Sequence, residues 1–225
     1  MKTNILIGSL IGLLGISLAG CDPEDSESVS QDRIKTHYSI DYDDNTMETA
    51  TIASFWFGST PLRLSSPAHV TANELGMSEH EILGVVDYRR TFSAYTSSVT
   101  FEYIDLDDNI YINYVQLPDS IQFPSNISKF SISEDLLINW EGEPVGTNES
   151  VQITISVGAT SYSTSNTSTG SQNILIAANT LDNEFEGTAK ITLKRRRSSA
   201  TIQAPRSGTL SATFTSKNAY VEITP

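Results

Sequence analysis

The feature that most constrains this chain is alternation with a period of two. Tyr95, Ser97, Val99, Phe101 and Tyr103 mark one face, while Thr96, Ser98, Thr100 and Glu102 mark the other. The stretch Asp105-Leu106-Asp107-Asp108-Asn109 follows, and Tyr111, Asn113, Val115 and Leu117 then alternate again, which reads as a β-hairpin. Thr51–Phe57 ends at Gly58, with shorter candidates at Pro61–Leu64 and His69–Thr71. Further strands are expected at Phe130–Ile132, Leu136–Trp140, Val151–Val157, Ile174–Ala177, Ala189–Leu193, Leu210–Phe214 and Tyr220–Ile223. Clusters of Gly, Asn, Asp, Ser and Pro separate them at the spacing of a sandwich. Only residues 74–83 offer a helical stretch, and Gly76 and Gly84 weaken it. An all-β fold follows.

Charge divides the chain. The 225 residues carry a formal charge of −13, which excludes nucleic acid as a main partner, because phosphate binding needs clustered Lys and Arg. Residues 22–48 hold nine acids against two bases, residues 49–120 nine against three, and residues 121–225 nine against eight. The acidic opening reads as a solvated tether. The shift in balance sets a boundary at Pro118–Pro124. The expected organisation is a leader over 1–20, an acidic disordered tether over 21–36, and two tandem immunoglobulin-like sandwiches over 37–120 and 121–225.

At the N-terminus, Lys2 precedes an apolar run, Ile5–Ala19, too short to span a bilayer comfortably. Leu18-Ala19-Gly20-Cys21 resembles the lipobox of bacterial lipoproteins. That resemblance implies cleavage before Cys21, diacylation of its thiol with fatty acids such as palmitate and, usually, N-acylation of the new terminus. The membrane is then a partner through Cys21, and the chain belongs to the bacterial envelope. Asp22 resembles an inner-membrane retention signal, while Asp22, Glu24, Asp25 and Glu27 together resemble a surface-export signal, so both membranes stay open. With the one cysteine of the chain at this position, an intramolecular disulfide and a Cys-based zinc site are excluded.

Ser133–Glu141, with Trp140, followed by Val151–Ile155, resembles strands B and C of a fibronectin type III domain. The resemblance covers roughly residues 124–215 and implies a sandwich used for spacing and binding. It departs where Thr188 or Ala189 stands in place of the family's usual tyrosine.

Candidate chemistry is sparse. His37, His69 and His80 lack metal-ligand spacing, and no Gly-x-Ser-x-Gly elbow or phosphate loop occurs. Asp105, Asp107 and Asn109, like Asp41, Asp43 and Asn45, open with an Asp-x-Asp-x-Asn rhythm suited to a weak calcium site, but lack the Gly and Glu of an EF-hand. The favoured reading of both stretches is that Asp and Asn simply make the turn and keep it soluble. Lys194, Arg195, Arg196 and Arg197 form a candidate contact for an anionic surface; a charge-protected edge strand and a salt-bridged interdomain contact are the competing readings. Trp56, between Phe55 and Phe57, is a candidate ligand platform if it faces outward. The expectation is a non-enzymatic, lipid-anchored envelope protein that binds a protein or glycan partner or acts as a spacer. A surface adhesin or carbohydrate-binding lipoprotein is the alternative.

Overall fold

The structure is a computed structural model that describes residues 22–199 and 202–225. The leader over 1–20 and Cys21 lie outside the described residues. Strands dominate the chain, in two sandwich-like halves, as the alternation requires.

The first half is built from β1 (Glu24–Asp25), β2 (Ile34–Asp43), β3 (Glu48–Phe57), β4 (Thr60–Arg63), β5 (His69–Ala72), β6 (Leu75–Gly76), β7 (Ser78–Ile82), β8 (Val85–Phe92), β9 (Ser98–Ile104) and β10 (Ile110–Gln116). β2, β3, β4, β7 and β8 form one layer, and β10-β9-β5-β6 the other. The expected hairpin is present, with Tyr103 opposite Tyr111 and Val99 opposite Val115. Val99, Phe101 and Tyr103 are fully buried. Between the layers, Tyr38 packs on Phe101 at 4.9 Å and Phe55 on Tyr103 at 4.6 Å between ring centres. The 74–83 stretch is strand, not helix, because its backbone groups pair with β5 and β8.

The second half contains β11 (Ile121–Gln122), β12 (Lys129–Ser131), β13 (Leu136–Asn139), β14 (Glu141–Gly142), β15 (Glu149–Val157), β16 (Thr160–Asn166), β17 (Asn173–Ile176), β18 (Gly187–Ser199), β19 (Ser207–Thr215) and β20 (Ala219–Thr224). β16-β15-β18-β19 is one layer, and β13 pairs with β17 in another. The two segments that resemble strands B and C of fibronectin type III thus fall in different sheets, as in an immunoglobulin-type sandwich. Trp140 is 2% exposed in the core, its indole N–H donating to the Glu143 carbonyl at 3.1 Å.

The halves are not strung together by a free linker. β2 runs parallel to β19 with paired residues from Lys35↔Ser207 to Asp43↔Thr215, so one sheet crosses from β4 to β16. Gly208 lies so close to β2 that a Cβ there would collide with the Thr36 carbonyl oxygen. The turn after β2 adds to this seam: Asp44 N–H donates to the Thr215 carbonyl and Asn218 N–H to Asn45 Oδ1. Asn113 and Gln203 exchange two further hydrogen bonds of 2.8 and 2.9 Å.

From Asp22 onward, the segment expected as a tether is laid along the first half. Glu24 and Asp25 pair in parallel with Leu62 and Arg63. Ser26 is buried, its hydroxyl accepting from Ser65 N–H at 2.8 Å, and Gln31 donates to the Ser26 carbonyl at 2.7 Å. An acidic segment that buries little apolar surface is held here by backbone pairing to an otherwise open edge and by side chains that satisfy its turns.

Candidate functional site

Strand parity sorts every residue of the continuous sheet into inner and outer. Along β2, Ile34, Thr36, Tyr38, Ile40 and Tyr42 are buried, and Asp41 and Asp43 take the opposite parity. The registers then align two rows across the outer face. One runs Ala50–Asp41–Thr213–Arg196–Ser150; the other runs Glu48–Asp43–Thr215–Lys194–Gln152. Three carboxylates thus come from the first half, two cations from the second, and a pair of threonines lies on the seam between them.

These residues line a polar groove of about 580 Å³, within the usual range of about 300–1,000 Å³ for ligand pockets. Two strand spacings, about 9–10 Å, separate the acidic column on β2 from the basic column on β18. Among the described residues no ion pair joins the two columns. The groove therefore offers acceptors on one bank, donors on the other and hydroxyls between, a surface for a polar or zwitterionic ligand group. Nearby, His37 Nδ1 lies 2.8 Å from Thr209 Oγ1 across the seam, and burial, then the charge of Lys35, lowers its pKa.

The Lys194–Arg197 run is divided by the same parity. β18 is flanked by β15 and β19, so it is an interior strand and needs no edge protection. Arg195 and Arg197 share the inner parity of Ala189, Ile191 and Leu193, which removes Arg195 from any anionic surface: its side chain is 1% exposed. Arg195 donates to Glu149 Oε2 at 2.9 Å, to the Glu143 carbonyl at 3.0 Å, and to the Pro144 carbonyl. Arg197 donates to Glu149 Oε1 at 2.7 Å, and Gly146 N–H to Glu149 Oε2 at 2.9 Å. Burial raises the Glu149 pKa, but the Gly146 amide and the guanidinium groups of Arg197 and Arg195 outweigh it, so its carboxyl sits below the ordinary value. Only Lys194 and Arg196 face the groove.

Trp56 is on the outer face but half-buried, its indole N–H donating to Ser54 Oγ at 3.2 Å. Phe55 is in the core, and Phe57 lies under the Arg33 guanidinium at 4.7 Å. The 55–57 cluster is thus not an exposed aromatic strip.

In the 105–109 turn, Asp105 Oδ1 accepts the N–H groups of Asp107 and Asn109 at 2.9 Å, and Oδ2 accepts from Asn109 Nδ2 and the Tyr111 hydroxyl. Burial, then the Asp105 charge and this hydrogen bond, push the Tyr111 pKa up to about 12. In the 41–45 turn, Asp43 Oδ1 accepts both the backbone and side-chain nitrogens of Asn45. Asp105 thus spends both carboxylate oxygens on shaping its turn, whereas Asp43 commits Oδ1 alone to its own turn and Asp41 accepts from the Ser39 hydroxyl at 3.3 Å, so both still line the groove. Among the described residues, no three His, Asp or Glu side chains gather where they could hold a metal.

No family model matches the chain, and no curated protein sequence matches it. Two solved structures found to be similar are the FN1–FN3 domains of chicken CNTN1, at 10% identity and a TM-score of 0.29, and a bacterial ice-binding adhesin described for host cell surface retention, at 10% identity and 0.24. Each match covers 84% of this chain, which spans 66% of each of those chains.

Proposed function

We propose that this chain is a non-enzymatic, lipid-anchored protein of the bacterial envelope that binds a protein or glycan partner on the outer face of its continuous sheet. The groove at the seam carries this reading. Its acids and its bases come from different halves, so the β2–β19 ladder assembles the surface as well as joining the fold. The lipobox resemblance around Cys21 supports the anchor. The groove favours polar recognition over the aromatic platform that a carbohydrate-binding adhesin would present, since Trp56 is half-buried and Phe55 is internal.

Two readouts on intact cells test this proposal. Radioactive fatty acid should label the native chain and not a Cys21→Ser variant; labelling of the variant would refute the anchor. A photo-crosslinker at Thr213 should capture a partner that one at exposed Tyr220 does not, and Lys194→Ser/Arg196→Ser should abolish the Thr213 product. Equal capture at both positions would refute the groove.

A further inference from the structure

The turn between β7 and β8 is built from Ile82, Leu83, Gly84 and Val85, with no polar side chain among them. Leu83 is 93% exposed, Ile82 55% and Val85 44%. Ile82 pairs with Val85, so Leu83 and Gly84 are the two turn residues, and both have positive φ, +51° and +78°. That geometry suits Asn or Gly; a leucine there bears backbone strain and gains no burial within the chain. Apolar side chains gathered at a strained, projecting tip mark a contact surface.

The position of this tip identifies what it touches. Tyr88 pairs with Ala53, and the hairpin then runs on toward the level of Phe57, where β3 turns into β4. At that same end the described chain begins, because β1 lies parallel to β4 with Glu24 opposite Leu62. One side chain ties the two together: Arg63 contacts Asp25 at 3.8 Å, Glu79 at 3.0 Å and Glu81 at 2.6 Å. Arg63 thereby offsets one of the three negative charges nearest the tip. Arg33, Lys35 and Arg206 gather around Phe57 and Gly58 at this end as well, none of them in an ion pair among the described residues.

We infer that the Ile82–Val85 turn inserts into the bilayer that holds the acylated Cys21, with Arg33, Lys35 and Arg206 facing the headgroup phosphates. This inference rests on the lipid-anchor reading above. The acyl chains supply retention, because two or more anchor stably. The apolar turn supplies orientation: a second contact on a rigid body fixes which way the outer sheet face points.

The test uses the full chain purified from bacterial membranes. In acylated protein the Cys21 thiol is blocked, so a Leu83→Cys variant carries one free thiol for an NBD label, and Leu137→Cys, exposed on β13, is the control. The labelled proteins are reconstituted into phosphatidylethanolamine–phosphatidylglycerol vesicles, and mass spectrometry reports acylation of Cys21. At position 83 the expected result is blue-shifted emission, a severalfold rise in intensity and quenching by lipid-borne nitroxides, with none of these at position 137. Acylated protein whose position-83 probe stays water-like overturns the insertion and leaves the anchor standing. An unmodified Cys21 overturns the anchor, and the insertion with it. A native-like circular dichroism spectrum and melting curve confirm that the variants fold.

Discussion

Glu149→Ala removes the acceptor at the centre of the buried network in the second half. Arg195 then keeps its bonds to the Glu143 and Pro144 carbonyls but loses its counter-charge, and a guanidinium 1% exposed has little water to replace it. Breaking a buried pair from one side costs about 3–5 kcal/mol. Gly146 N–H loses its acceptor too, worth about 1 kcal/mol, whereas Arg197, 39% exposed, rehydrates at small cost. A net loss of about 4–6 kcal/mol should lower Tm by about 8–24 °C, at about 2–4 °C per kcal/mol for a chain of this size. Thermal and urea unfolding both read the effect. The pH dependence has a definite sign. The folded Glu149 pKa lies below its unfolded value, so its stabilisation is complete above about pH 5 and fades as pH falls through the folded pKa. The gap between native and variant should therefore narrow in acid. Replacing both Glu149 and Arg195 with leucine should cost far less than Glu149→Ala alone. A Tm drop under about 3 °C for Glu149→Ala, or a double variant as damaged as the single, would refute the reasoning.

Trp140→Ala should lose about 3–5 kcal/mol, the cost of deleting a large buried aromatic, and an unchanged melting curve would contradict its place in the core. Gly208→Ala forces a methyl group onto the Thr36 carbonyl and should cost at least about 1–3 kcal/mol; hydrogen exchange should accelerate first at residues 35–39 and 207–211, and uniform exchange would tell against a local seam defect. The buried Tyr103 hydroxyl finds no hydrogen-bond partner among the described residues, so Tyr103→Phe should leave stability unchanged or raise it by up to about 1 kcal/mol. A clear loss in urea unfolding would reveal a partner for that hydroxyl.

The alternation that exposed the β9–β10 hairpin was equally present in β2, where Ile34, Thr36, Tyr38, Ile40 and Tyr42 point inward. There it was masked by the interleaved acids and by the acid-rich stretch before it. β16, Thr-Ser-Tyr-Ser-Thr-Ser-Asn, has almost no apolar contrast and owes its strand form to pairing with β15. The four bases at 194–197 read as one surface cluster because they are consecutive. Their phase told otherwise: Arg195 and Arg197 continue the core parity of Ile191 and Leu193, and Glu149 continues that of Val151 and Ile153. A charge in core phase calls for a buried partner, and that signal is legible in the sequence itself. The groove was not, since it depends on registers between strands far apart in the chain.

The seam also bears on how the protein is made. His37 and Thr209, which face each other across it, lie 172 residues apart. While the chain emerges from its N-terminus, β2 can pair with β3 early, but its other edge stays open until nearly the whole sequence has been synthesised. Open edges recruit foreign strands, and pairings this distant form slowly. The second half is thus the late-arriving edge cover of the first, and a fragment of either half alone carries a sticky strand that its missing partner would hide.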